Sequence, residues 1–155
     1  MKMTVFVLGL VVLASVLLAS GCGASAIEAH TASALVVRDA LNTSGQMIHD
    51  DMFTKATAAA SNESVDTATA ELNAHNVVRG YNQALKLHGA AVTTWQLWVT
   101  SLLSAYKDNL DDEDTWRSLA ANAFKSYKDL AIEALRHDLK IPSVLGAMQA
   151  TLKKK

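Results

Sequence analysis

Cys22 carries the only thiol in a chain of 155 residues, and it lies close to the N-terminus. A single cysteine cannot form an internal disulfide, and it cannot supply a cysteine-rich zinc site. An odd cysteine in an exported protein needs another chemical role, and the residues around Cys22 indicate which one.

Five histidines are the side chains best suited to metal binding or proton transfer: His30, His49, His75, His88 and His137. None lies in an HExxH motif, and the Glu-x-x-His pairs of di-iron bundles are absent. Glu71 and Glu133 each precede a histidine by four residues, so each pair shares a helix face and could hold one metal ion. The simpler interpretation is a surface pair, and we expect no bound metal or other cofactor.

His88 is the histidine most suited to ligand binding, because it falls on an apolar helical seam. Trp95 and Trp98 follow on the same stretch, and the three side chains could line a small-ligand pocket. A buried imidazole needs a hydrogen-bond partner. The alternative interpretation of His88 is therefore a core or helix-edge histidine bonded to a neighbour.

The chain has no recognisable catalytic motif. The sequence His49-Asp50-Asp51 sets an imidazole beside two carboxylates, but adjacent residues on a helix do not face each other and form no triad by themselves. No G-x-S-x-G elbow, S-x-x-K nucleophile or glycine-rich phosphate loop occurs. We expect a protein that is not an enzyme.

The first 21 residues have the order of features that directs a chain to secretion. Lys2 supplies a positive charge, residues 4–18 are almost continuously apolar, and the small residues 19–21 precede Cys22. The apolar run is shorter than the roughly 20 residues that a membrane-spanning helix needs. This pattern predicts a signal peptide.

The segment Leu18-Ala19-Ser20-Gly21-Cys22 resembles the lipobox of bacterial lipoproteins, although that family prefers leucine where this chain has Ala19. The resemblance covers this N-terminal segment only. It implies cleavage between Gly21 and Cys22, with acyl chains on the cysteine. It further implies a protein anchored at the periplasmic face of the cell envelope. Gly23 stands where an inner-membrane retention signal has aspartate, which favours the outer membrane.

Two other fates of this segment remain open. Ordinary cleavage near Gly21 or Ala24 would release a soluble protein with a free thiol, and an uncleaved segment would remain as a membrane helix. Under the lipobox interpretation, residues 22–25 are the lipidated cysteine and a short tether, and residues 26–155 form the domain. Several acyl chains would give stable anchoring where one would be marginal.

The apolar periodicity of residues 26–155 predicts an all-α domain, a small antiparallel bundle of three long helices and a short fourth. The first helix is predicted at 26–60. The second is predicted as one helix from Asp66 to about Tyr106, capped by Ser64 or Asp66. Gly80 or Gly89 could allow a kink or a close crossing within it. Its core seam is predicted to be Val78, Tyr81, Leu85, His88, Val92, Trp95, Val99, Leu102 and Tyr106.

A second apolar face adds Val77, Ala84, Ala91 and Trp98. Apolar residues therefore surround the C-terminal half of this second helix, and we expect it to be central and buried. No charge occurs between Lys86 and Lys107, but many polar groups do, which favours a buried helix over a membrane-inserted one. The third helix is predicted at 115–139, with residues 111–114 supplying acidic charge at its N-terminus. The fourth is predicted to start at Pro142. The core is expected to contain Trp95, Trp98 and Trp116.

A formal net charge of -1 provides no basic surface for nucleic acid. The leading functional hypothesis is a structural or protein-interaction role in the envelope, with the membrane and another envelope protein as partners. Two alternatives stay open: a periplasmic module that binds a small ligand or metal, and a phage-encoded membrane-active protein whose uncharged helix enters lipid.

Overall fold

The computed structural model describes residues 26–108 and 112–152, and these residues form helices connected by turns, without a strand among them. The helices are α1 (Ala26–Ala60), α2 (Thr67–Gly80), α3 (Asn82–Asp108), α4 (Glu113–Leu135) and α5 (Leu145–Leu152). Because only Tyr81 separates α2 from α3, the architecture is three long helices and a short one. The predicted all-α bundle is confirmed. The predicted signal peptide, Cys22 and the tether lie outside the described residues.

Helix α1 runs from Ala26, the first residue that the structure describes, to its predicted end at Ala60, and it buries one continuous stripe. Val37, Leu41 and Ile48 are almost fully inaccessible, as the spacing of three, four and seven residues requires for one helix face. Two polar residues extend the same stripe. His30 lies four residues before Ala34, and the Ser44 hydroxyl donates to the Ala40 carbonyl at 2.6 Å, which satisfies it inside the core.

The second long helix is broken at Tyr81, which corrects the prediction of one continuous helix. Asp66 caps α2, as predicted, by accepting a hydrogen bond from the Thr69 amide at 2.9 Å. At the other end the Tyr81 amide bonds to the Val78 carbonyl, three residues back instead of four. Gly80 weakens the helix at this point. The Tyr81 side chain, only 3% exposed, turns into the bundle.

The buried face of α3 is rotated from the predicted seam. Its fully buried residues are Ala84, Ala91, Trp98, Leu102 and Ala105. Leu85 and Tyr106, both predicted for the core, are instead 40% and 80% exposed. The small alanine side chains let α1 and α4 approach α3 closely, and α4 packs against it most extensively. The predicted second face, which includes Ala84, Ala91 and Trp98, is therefore the more deeply buried of the two.

The expectation that α3 is buried on every side is also wrong. Neighbouring helices cover one side of α3, and Leu97 and Leu103 on the other side are 56% and 66% exposed. Across residues 26–108 and 112–152, no helix combines the length and apolarity needed to cross a bilayer.

Helix α4 is capped at both ends. Asp112 accepts from the Thr115 amide at 3.2 Å, which confirms the predicted acidic N-terminus within the described residues. The helix ends at Leu135, four residues before the predicted end. The Leu139 amide bonds to the Ala134 carbonyl, and Asp138 takes a left-handed φ of 62°, which together form a Schellman turn.

The short helix α5 starts at Leu145 and not at Pro142. The Pro142 carbonyl accepts a 2.7 Å hydrogen bond from the Tyr127 hydroxyl, which fixes the connection against α4. Burial raises the pKa of Tyr127, so this hydroxyl keeps its proton as a donor. The Ser33 hydroxyl donates to the Ala147 carbonyl at 3.3 Å and joins α5 to α1.

Candidate functional site

The three residues predicted as ligand-binding candidates all lie on α3, and each donates a hydrogen bond to α1. His88 Nε2 lies 3.0 Å from the Leu41 carbonyl, and since a carbonyl only accepts, Nε2 carries a proton. Trp95 Nε1 donates to the Ala34 carbonyl at 2.8 Å. Trp98 Nε1 donates to Nδ1 of His30 at 3.3 Å. These polar atoms hold two helices together.

Gly45 makes the contact between His88 and α1 possible. A Cβ atom at position 45 would lie 2.8 Å from His88 Nε2, closer than real Cβ atoms come to their neighbours. The imidazole therefore occupies the space that a side chain would need. His88 is half-buried at the helix edge and bonded to a neighbour, as the alternative interpretation of this residue has it.

His30 is the most buried histidine of the described residues, at 2% exposure, and its importance was not predicted. Its ring meets the rings of Trp98 and Trp116 edge-on, each with centroids 5.8 Å apart. Burial first, and the positive charge of Arg117 second, lower the pKa of His30, with Glu113 acting in the opposite direction. The neutral imidazole leaves Nδ1 free to accept from Trp98.

A polar cluster joins α1 to the break between α2 and α3. The Tyr81 hydroxyl donates to the carboxylate of Asp51 and accepts from Lys55 Nζ at 3.1 Å. Lys55 Nζ also donates to Asp51 at 2.9 Å and to the His137 carbonyl at 3.5 Å. The Tyr81 ring stacks on His137 with centroids 4.0 Å apart. Three segments of the chain, α1, the break at Tyr81 and the connection after α4, are thereby joined in one cluster.

The charges in this cluster stabilise one another. Partial burial raises the pKa of Asp51, but hydrogen bonds from Tyr81 and Lys55 outweigh it and hold this pKa below its ordinary value. The bonds to Asp51 and Tyr81 raise the pKa of Lys55. Burial and the bond to Asp51 raise the pKa of Tyr81. Asp51 and Lys55 therefore form a stable ion pair beside a neutral Tyr81. These groups keep their protonation states near neutral pH and are not suited to proton transfer there.

The histidine–carboxylate pairs do not assemble into a metal site. Glu133 Oε1 lies 4.0 Å from His137 Nε2, and Oε2 of the same carboxylate accepts from Arg136 at 2.9 Å. Glu71 and His75 are both exposed on α2. His49 Nδ1 lies 3.4 Å from Asp50 at the surface, while Asp51 turns toward Tyr81. In the part of the chain that the structure describes, no three metal-binding side chains converge.

A groove of about 310 Å³ runs between α3 and α4, and none of the predicted ligand-binding residues lines it. Its walls are formed by Thr94, Leu97, Leu119, Asn122, Lys125, Ser126 and Asp129. Two of these residues carry opposite charges and three are neutral polar residues. The groove therefore lacks the apolar lining that ligand pockets usually have.

The most unusual surface of the domain is the outer face of α3, which carries no charge over five turns. We define the uncharged face by the exposed residues between Lys86 and Ser101, which are Gly89, Ala90, Thr93, Gln96, Leu97 and Thr100. Sequence reasoning noticed the absence of charge but attributed it to burial. The structure places these residues at the surface.

Hydroxyl groups on and beside this face are satisfied within the helix. Thr93 Oγ1 donates to the Gly89 carbonyl at 3.0 Å, and Thr94 Oγ1 to the Ala90 carbonyl at 3.1 Å. Because these two donors already have acceptors four residues back, contact with another molecule leaves the hydroxyl protons of Thr93 and Thr94 paired.

Comparisons of the chain with protein families, with curated proteins and with solved structures found no match.

Proposed function

We propose that this chain is a lipoprotein anchored in the bacterial envelope through Cys22, and that its helical domain binds another envelope protein through the uncharged face of α3. The segment Leu18-Ala19-Ser20-Gly21-Cys22 supports the anchor, as does the lack of any other cysteine. The observation that carries the interaction role is the uncharged face itself.

An exposed helix face normally carries charged side chains, because they are the most strongly hydrated. The chain as a whole is 19% charged, yet no charge occurs from Leu87 to Tyr106. The centres of protein–protein interfaces are likewise depleted of charged residues. Covering the uncharged face therefore costs little desolvation, and burying Leu97 contributes about 25 cal/mol for each Å² of apolar surface removed from water.

The shape of the face favours a helical partner. Gly89, Ala90 and Thr93 have small side chains near the start of the face, and nothing lies within 4 Å of a Cβ atom built on Gly89. Another helix could approach the backbone of α3 closely there, and crossed helices pack about 8–10 Å apart. We infer that the partner presents a helix with a neutral, mostly apolar face.

The proposal is tested by a photo-crosslinking amino acid at Thr100, within the uncharged face, and at Gln46, exposed on α1. In envelope membranes of the native host we expect one discrete protein adduct from position 100 and none from position 46. Adding Thr93→Lys should abolish the adduct, because a charge would be buried without a partner.

Thr43→Lys is the matched control, since Thr43 is also an exposed helical threonine whose hydroxyl bonds four residues back, to Asp39 at 2.9 Å. It should leave the adduct unchanged. Equal loss of the adduct in Thr93→Lys and Thr43→Lys would contradict the proposal. Equal amounts of adduct from positions 100 and 46 would contradict it too. An adduct of twice the chain's mass would assign the face to self-association. Adducts with lipid alone would assign it to membrane insertion.

A further inference from the structure

The register between α1 and α3 establishes which end of the bundle lies next to the N-terminal segment. His88 bonds to the Leu41 carbonyl, and Trp95 bonds to the Ala34 carbonyl. Seven residues forward along α3 therefore correspond to seven residues backward along α1, as antiparallel helices require. Leu102, 5% exposed, then lies opposite the half-buried Ile27 in the first turn of α1.

The last turn of α3 extends past this point. Tyr106 is 80% exposed, although it lies on the same side of α3 as His88 and Trp95. Leu103, three residues earlier, is 66% exposed beside it. We call Leu103 and Tyr106 together the apolar tip.

We propose that the apolar tip rests in the interface of the bilayer that holds Cys22, and so orients the domain with α1 and α3 directed away from the membrane. This inference depends on the proposed lipid anchor. Four residues lead from Cys22 to Ala26, and they span at most about 14 Å when fully extended. The anchor thus holds the N-terminal end of α1, and the apolar tip beside it, within reach of the lipid headgroups.

The chemistry of the tip identifies the kind of lipid surface. Tyrosine is enriched at membrane interfaces, where its ring meets the apolar region and its hydroxyl stays hydrated. Asp108, Asp112 and Asp114 are exposed near the same end of the bundle and outweigh the positive charge of the exposed Lys107 beside Tyr106. An anionic surface would repel these carboxylates. The apolar tip therefore fits a zwitterionic surface, and an increasing content of anionic lipid should weaken its contact.

The test uses the full chain, expressed in a bacterial host, purified from membranes and returned to phosphatidylcholine vesicles containing nitroxide-labelled lipid. Tyr106→Cys receives a thiol-reactive fluorophore. Gln83→Cys is the matched control, because Gln83 is exposed on the same helix about 35 Å away. We expect lipid nitroxide to quench the label at position 106 several-fold more than the label at 83. Leu103→Cys should behave as Tyr106→Cys does.

The unsubstituted chain separates failure of this inference from failure of the anchor. Acylated Cys22 takes up no thiol label, so the unsubstituted chain should remain unlabelled. Its labelling would refute the anchor and remove the basis of the inference. With the anchor intact, equal quenching at 106 and 83 would overturn the orientation. Shielding of position 106 from both lipid nitroxide and aqueous iodide would overturn it too, since another part of the chain would then cover the tip.

Replacing part of the phosphatidylcholine with phosphatidylglycerol should reduce quenching at 106.

Discussion

The indole N–H of Trp98 donates to Nδ1 of His30 across 3.3 Å, inside a core where both side chains are almost fully buried. An indole nitrogen can only donate, so Nδ1 must be without a proton. Protonation of His30 at this atom would set two N–H groups against each other in a water-excluded site. The contact therefore favours folding with a neutral His30.

We expect stability to fall in mild acid because of His30. Burial lowers the pKa of His30 in the folded chain below the ordinary value of 6.5. As pH falls, the unfolded chain therefore binds a proton on this residue before the folded chain does. The contribution of neutral His30 to the free energy of unfolding is fully present above pH 6.5, and it is lost as pH falls from 6.5 toward the pKa of His30 in the folded chain. Urea midpoints between about pH 7.5 and about pH 5 should fall more steeply for the unsubstituted chain than for His30→Gln. If the urea midpoints of the two chains fell equally with pH, the expected role of His30 would be contradicted.

Gly45 should tolerate alanine poorly, although alanine is the better helix former. The new Cβ atom would meet His88 Nε2 at 2.8 Å, and displacing the imidazole breaks its bond to Leu41. We expect Gly45→Ala to lower the free energy of unfolding by about 1–3 kcal/mol. Gly89→Ala, which meets nothing within 4 Å, should raise it by up to about 1 kcal/mol.

A double-mutant cycle isolates the cause of the Gly45 effect. In a His88→Ala background the clash is absent, so Gly45→Ala should become neutral or stabilising in urea denaturation. An equal loss with and without the imidazole would show that another neighbour of Gly45 is responsible.

Tyr81→Phe should destabilise the bundle by about 1–3 kcal/mol, because Asp51 and Lys55 lose the hydroxyl between them. Tyr106→Phe is the matched control, since Tyr106 is 80% exposed, and it should change the free energy of unfolding by less than about 0.5 kcal/mol. Chemical denaturation of both variants gives the comparison. If Tyr81→Phe and Tyr106→Phe changed the free energy of unfolding equally, the polar cluster would not contribute to stability.

Asp138→Gly should stabilise the end of α4. Asp138 has a φ of 62°, a conformation that glycine adopts without the steric cost that other residues bear. We expect an increase of up to about 1 kcal/mol in the free energy of unfolding, and a decrease for Asp138→Ala. Thermal denaturation of the two variants measures the difference, and the opposite order would be inconsistent with the Schellman turn.

Regular apolar spacing made most of the fold predictable. The stripe through Ala34, Val37 and Leu41 predicted both ends of α1, and the capping role of Asp66 was readable from its position. Gly80 marked a possible kink in the second helix, but the contact of Tyr81 with Asp51, thirty residues away, was not predictable. Local periodicity contains no information about such a partner.

The candidate site was harder to predict than the fold. His88 drew attention because it lies on an apolar seam, whereas His30 is the more buried residue. Extending the α1 stripe backward by four residues from Ala34 would have identified His30. The uncharged stretch before Lys107 was visible in the sequence, but only the packing of α1 and α4 against α3 shows which of its residues face outward.

The central claim is that an acylated Cys22 anchors this helical domain to a membrane. The direct test is mass spectrometry of the unsubstituted chain and Cys22→Ser, both recovered from a bacterial host grown with labelled palmitate. We predict that the unsubstituted chain begins at Cys22, carries acyl chains there and sediments with membranes, and that Cys22→Ser carries no lipid. Equal lipid content and equal membrane fractionation in the two chains would contradict the claim.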